Sequence, residues 1–115
     1  YLNDLAGVPG LVLPEFNNAL RPNYSYMPVR LKPEAAVKRD SLVEQMRRGG
    51  VMPRRYFHPL IPEFQYYRSN ASADPARYPE ATRASAEVLC LPIYPELSDD
   101  DAHRTSALMR DVLQS

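Results

Sequence analysis

Twelve prolines are scattered through this chain of 115 residues, about twice the share of an average globular sequence. Proline fixes φ and carries no backbone N–H, so helix interiors and central strands exclude it. Spread as they are, these prolines mark turns and strand ends rather than a disordered tail. The helices and strands have to be found among them.

Tyr1 to Ala6 reads as the end of a helix, with Gly7 as its stop. Residues 8–14 are a short extended piece broken by Pro9, Gly10 and Pro14, and residues 15–23 are polar and turn-like. In YSYMPVRL, residues 24–31, Tyr24, Tyr26, Pro28 and Arg30 share one face, and Ser25, Met27, Val29 and Leu31 the other. This is strand alternation, and Pro28 argues for an edge or a bulge. Pro33 precedes a helix over residues 35–48 with an apolar stripe of Val37, Leu42, Val43 and Met46. Lys38, Arg39, Asp40, Glu44 and Arg47 then face water. Arg47 and Arg48 suit the negative helix end, and Gly49 offers a left-handed cap. Val51 and Met52 lead into a short strand ending near Tyr56.

Residues 62–78 form a connection long enough to be unusual, aromatic in its first half and small and polar in its second. Pro79 fits the first turn of a third helix, with Ala81, Ala84, Ser85 and Val88 along one face. Residues 89–94, LCLPIY, are a short apolar extended segment. Ser98 caps the last helix, with Asp101 three positions on and a stripe of Ala102, Thr105, Leu108, Met109, Val112 and Leu113. This order of elements implies an α+β fold: one domain over 1–115, with a small antiparallel sheet and helices on one face.

Fourteen basic residues balance fourteen acidic ones. A net charge of zero gives no long-range pull toward nucleic acid or an anionic membrane, so any anion site must be local. No apolar stretch approaches the roughly 18 residues of a membrane span. The single Cys90 excludes a disulfide framework and fits a reduced, cytoplasmic setting. Flanked by leucines, it reads as a buried structural thiol. His58, His103 and Cys90 share no metal-ligand spacing. Gly49-Gly50 is a turn without a phosphate loop around it. The two lysines, Lys32 and Lys38, lie in a turn and on a polar helix face, and neither looks protected enough for Schiff-base chemistry. By these residues alone the chain is not a complete catalyst.

Binding chemistry concentrates in RRYFHPL, residues 54–60. In an extended chain Arg54, Tyr56 and His58 fall on one side, and Arg55 and Phe57 on the other. An arginine fork suits phosphate or carboxylate. One reading makes Arg54, Tyr56 and His58 the lip of a sugar-phosphate site, with Arg55 and Phe57 holding the domain together. The other is a strand end with a packed Phe, a Tyr over the core edge and a solvated Arg.

VMPRRYFHPL, residues 51–60, follows a helix carrying Arg39, Asp40 and Leu42. Downstream come Pro79-Glu80-Ala81, then VLCLPIYP at 88–95 with Leu97-Ser98; upstream stand Leu5-Ala6-Gly7, Pro9-Gly10 and Asn23-Tyr24-Ser25-Tyr26. In order and spacing these motifs resemble the small domain of the DegT/DnrJ/StrS-type sugar aminotransferases, over nearly the whole chain. The resemblance implies the C-terminal small domain of a pyridoxal-phosphate enzyme of the aspartate aminotransferase fold type. Such enzymes move an amino group, usually from glutamate, onto a nucleotide-linked keto sugar, and are typically homodimers. The variant with RRYF and LCLPIYP is most similar to members acting on dTDP-linked 4-keto-6-deoxyhexoses, with a 3-keto sugar as the other possibility.

The resemblance also implies that the catalytic lysine and most cofactor contacts lie in a large domain outside these residues, so this stretch binds no cofactor by itself and is inactive alone. Arg54, Tyr56 and His58 are then the substrate-binding candidates, Tyr24 and Tyr26 weaker ones, and the 62–78 loop closes the cleft or meets a partner subunit. Tyr1 opens the chain without a methionine, as a piece of a longer protein would. The rival expectation is a standalone non-catalytic module that binds a phosphate ligand or a partner protein.

Overall fold

The computed structural model describes residues 1–17 and 19–115. Asn18, inside the polar turn expected over 15–23, lies outside the described residues. In chain order the elements are α1 (Leu2–Leu5), β1 (Leu11–Val12), β2 (Met27–Leu31), α2 (Arg39–Arg48), α3 (Pro79–Glu87), β3 (Val88–Leu91) and α4 (Asp99–Gln114). Three single 3-10 turns, Ile61–Glu63, Ala71–Ala73 and Pro75–Arg77, punctuate the long connection before α3. The sheet is antiparallel with strand order β1-β2-β3.

Period-two alternation decides the core. Met27, Val29 and Leu31 of β2 and Leu89 and Leu91 of β3 point to one face and are buried. Leu42, Val43 and Met46 of α2 and Met109, Val112 and Leu113 of α4 cover that face, and Leu5 and Val8 close it. Burying each such side chain contributes roughly 1.5–3 kcal/mol. Arg30 points to the opposite face, where its Nε lies 2.9 Å from Glu87 Oε2 at the end of α3.

Pro28 sits in the middle strand, where a missing donor should break a ladder. The register removes the conflict. Cys90, opposite Pro28, exchanges both backbone bonds with Arg54: Arg54 N–H donates to Cys90 O at 2.9 Å, and Cys90 N–H to Arg54 O at 2.7 Å. Cys90 therefore presents no backbone bond to β2, and Pro28 turns its nitrogen away from β3, toward β1. But β1 pairs only with Leu31 and Arg30. Pro28 is at an open edge within a central strand.

Several boundaries differ from the sequence reading. β2 begins at Met27 rather than Tyr24, and β3 ends at Leu91 rather than Tyr94. The second helix starts at Arg39, because residues 33–37 are turn and bend and Lys38 is its extended N-cap. Its left-handed residue is Gly50, at φ +84°, and not Gly49, at φ −79°. Gly50 N–H donates to Arg47 O at 3.0 Å and Val51 N–H to Met46 O at 2.9 Å, the paired bonds of a Schellman ending. Gly49 leaves room for the Leu108 side chain of α4, since a Cβ there would lie 2.5 Å from Leu108 Cδ2 and make that side chain shift. No strand runs from Val51 to Tyr56; Arg54 makes one isolated bridge. Ala81, expected on the packed face of α3, is exposed, and Ser106 is buried in α4 beside the expected stripe. The Ser98 cap stands as read: its Oγ accepts from Asp101 N–H at 3.1 Å and donates to Asp101 Oδ2 at 2.9 Å.

Leu42→Ala should lower the unfolding free energy by about 2–5 kcal/mol, since the site is closed on all sides. Gly50→Ala should cost about 1–2 kcal/mol for the left-handed backbone, and Gly50→Asn less. Urea midpoints at constant m-value read all three.

Candidate functional site

The site begins with the backbone exchange between Arg54 and Cys90, which pins Arg54 to the free edge of β3. Beyond Arg54 the chain does not stay extended. His58 N–H donates to Arg55 O at 3.0 Å and closes a turn. The expected alternation therefore holds for Arg54 and Tyr56 and fails at His58. Arg54 Nη1 donates to Tyr56 Oη at 2.8 Å, whereas His58 Nδ1 lies 3.3 Å from Ser85 Oγ on α3. The structure brings two of the three expected residues together and sends the third to another element.

Arg54 is exposed, and no carboxylate pairs with it among the described residues. Its bond to Tyr56 raises the guanidinium pKa above the ordinary value. Tyr56 accounts for one of five N–H donors, so the others stay open to an anion. Tyr26, Tyr56 and Phe57 form an edge-to-face cluster, with ring centroids 5.0 Å apart for Tyr26–Tyr56 and for Tyr56–Phe57. Tyr24 stands apart from it, its ring against Phe16. Phe57, expected to hold the domain together, is instead 68% exposed. The turn that carries off His58 also lifts Phe57 away from the core.

Arg55 reaches α2 in a partly exposed ion pair with Asp40, whose other partner is Arg39, a residue the sequence reading placed in water. Arg39 is only 4% exposed. Its Nη1 donates to Ser85 O at 2.9 Å and to Val88 O at 2.8 Å, and its Nε to Asp40 Oδ1 at 2.7 Å. Arg55 Nη1 donates to the same Asp40 oxygen at 3.2 Å. Burial pulls the Asp40 carboxyl up, but the Arg39 and Arg55 guanidiniums prevail and hold it below the usual carboxylate range. The signal for Arg39 was present: Leu42, Val43 and Met46 follow it at i+3, i+4 and i+7, so Arg39 occupies the first position of the apolar stripe.

Arg54 and Tyr56 border an open groove of about 890 Å³ whose floor includes Cys90 and whose far wall is α4, with Asp101, Arg104 and Asp111. Burial raises the Cys90 thiol pKa and so disfavours the nucleophilic thiolate. Arg104 pairs with Asp101 at 3.3 Å. The groove is thus polarised, with a free cation at the β3 edge and carboxylates along α4. Among the described residues no three His, Cys, Asp or Glu side chains cluster closely enough to hold a metal ion, and no helix is long and apolar enough to cross a membrane.

Residues 1–110 match the model of the DegT/DnrJ/EryC1/StrS aminotransferase family. The chain belongs to that family. It is 33% identical over 109 residues to the Escherichia coli dTDP-4-amino-4,6-dideoxy-D-glucose transaminase, covering 95% of this chain and 29% of that protein. The Shigella dysenteriae transaminase of the same name is 30% identical over 111 residues, covering 96% and 29%. Among solved structures, DesI in the presence of its TDP-sugar product superposes with a TM-score of 0.85 at 29% identity, covering 96% of this chain and 28% of DesI. DesV from S. venezuelae, in complex with a ketimine intermediate, gives 0.85 at 25% identity, covering 99% and 29%. The chain therefore spans under a third of the relatives it matches, and the small sheet with its helices is a recurring part of these aminotransferases.

Arg39→Leu should destabilise the protein by about 1–3 kcal/mol or more, because the Ser85 and Val88 carbonyl oxygens lose their buried donor. Urea unfolding reads this. Asp40 has a folded pKa below its unfolded one, so its contribution is complete above the unfolded value of about 4 and is lost as pH falls through the folded value. Asp40→Asn should therefore flatten the fall of Tm between about pH 5 and pH 3; an unchanged acid slope would remove Asp40 from the account.

Proposed function

We propose that this chain is the C-terminal small-domain portion of a pyridoxal-phosphate-dependent aminotransferase. The enzyme transfers an amino group from glutamate to a nucleotide-linked keto sugar of the dTDP-4-keto-6-deoxyhexose type. The observation that carries this reading is the family match over residues 1–110, joined to curated relatives that act in dTDP-amino-sugar chemistry by their names. The groove supports it. A nucleotide sugar carries a diphosphate, and Arg54 offers an unpaired fork at the groove's edge, on the side away from the α4 carboxylates.

The residues of this stretch do not fit pyridoxal phosphate. Of the two lysines, Lys32 is half exposed and lies 3.8 Å from Glu34, and Lys38 is exposed with its Nζ 3.5 Å from Pro33 O. Neither lines the groove. In this reading the cofactor and the reacting atoms are held by the remainder of the enzyme, and the present residues bind and orient the sugar nucleotide. Arg54 meets the diphosphate, Tyr56 fixes the Arg54 fork through its hydroxyl, and His58, turned to Ser85, acts on the site only through the turn it anchors. A homodimer and a cytoplasmic setting belong to the same reading.

Incubation of the full-length protein with glutamate and a dTDP-4-keto-6-deoxyhexose should yield the dTDP-amino sugar by mass spectrometry; no glutamate-dependent product from any dTDP-keto sugar would sink the assignment. Arg54→Ala should raise the KM for the nucleotide sugar by about tenfold, the loss of one charge-assisted contact, with the glutamate half-reaction intact. His58→Ala should leave that KM nearly unchanged.

A further inference from the structure

His103 Nδ1 lies 2.6 Å from Asp4 Oδ2, a contact that joins α4 to α1 across 99 residues of sequence. α1 is four residues long, and a helix that short has no stability of its own in water. Its attachments are Leu5 in the core, the Tyr1 hydroxyl, which donates to Pro92 O at 2.9 Å, and the Asp4–His103 contact. These attachments reach the groove. Pro92 and Ile93 line it, together with Asp101 and Thr105 of α4. Tyr1, Leu2 and Asn3 border a second cavity of about 350 Å³, and Tyr26 and Ile93 line both cavities. A shift of α1 is therefore felt in the groove, through the Tyr1–Pro92 bond and through the two shared residues.

We propose that the Asp4–His103 pair is a pH-sensitive latch, which holds α1 against α4 while His103 is protonated and loosens it as that proton leaves. The latch does not depend on which substrate the enzyme takes. Histidine is the side chain that ordinarily changes charge between about pH 5 and pH 8. With an imidazolium the two groups form an ion pair. With a neutral ring they keep a hydrogen bond, and charge-assisted bonds are roughly twice as strong as neutral ones. The surrounding charges leave Asp4 as the cross-helix partner. α1 carries no basic side chain. On α4 itself Asp99 and Asp100 stand one turn before His103, Arg104 pairs with Asp101, and Arg110 is two turns on. The bond from His103 is the main cause that holds the Asp4 carboxyl below its usual range, with smaller help from Ser106 and the amino group of Tyr1. At the acid end, then, the contribution of Asp4 is complete above its unfolded value of about 4 and is lost only as pH falls through the lowered one.

Amide hydrogen exchange of the full-length protein tests the latch, because it reports local opening of α1 directly. The amides to follow are Leu5 N–H, bonded to Tyr1 O at 2.9 Å, and Val8 N–H, bonded to Leu5 O at 3.3 Å. After correction for the intrinsic rate, their protection should be roughly twofold to fivefold greater at pH 6 than at pH 8, the range of a partly exposed ion pair. The buried end of α4, residues 109–113, should show no such difference. His103→Gln and Asp4→Asn should each abolish the pH difference, and the double variant should lose no more than either single one. Equal protection at the two pH values in the unmodified protein overturns the latch. So does a pH difference that survives His103→Gln, since another group would then carry it.

Discussion

The buried guanidinium of Arg39 ties together parts of the chain that no strand or helix joins. It reaches from the first turn of α2 to the last carbonyls of α3 and the start of β3, and through Asp40 to Arg55. A helix ending leaves carbonyl groups without partners, and α3 runs directly into β3 with no loop in which to solvate them. A charged donor with several N–H groups in one plane satisfies two of these oxygens and still holds a carboxylate. Burying such a charge is tolerable only with its donors filled. The packing of α2 against the α3–β3 junction and the anchoring of residue 55 are therefore one structural commitment.

That commitment shapes the groove. Arg55 is held by Asp40 on one side and Arg54 by Cys90 on the other. With two consecutive residues fixed in opposite directions, the following turn has little freedom, and it presents Tyr56 and Phe57 toward Tyr26. The groove edge is tied down by a backbone exchange at Arg54 and a shared carboxylate at Arg55.

The sequence made much of the fold legible and less of the site. Leu42, Val43 and Met46 of α2, the stripe of α4, the proline at the start of α3 and the Ser98 cap follow from helical period and end chemistry and stand where expected, whereas Val37 falls in the bend before α2. Alternation in β2 correctly sorted Met27, Val29 and Leu31 from Pro28 and Arg30. Arg39 was misplaced because its charge was read as a sign of exposure when its position in the stripe pointed inward. The parity argument for residues 54–58 failed at His58 because a local turn, closed by one backbone bond, ended the extended run.

By itself the sequence determined the α+β layer, most of the core-facing residues and the Ser98 cap. These depend on local period, capping and residue type, which act over a few neighbours in the chain. The tertiary structure alone decided that Pro28 occupies a locally open edge, that the Arg39 guanidinium donates to Ser85 and Val88, and that His58 leaves Arg54 and Tyr56 for Ser85. Each of these turns on a partner distant in sequence (Cys90 for the edge, Ser85 and Val88 for the arginine), and no local pattern encodes which distant backbone atom a side chain will find.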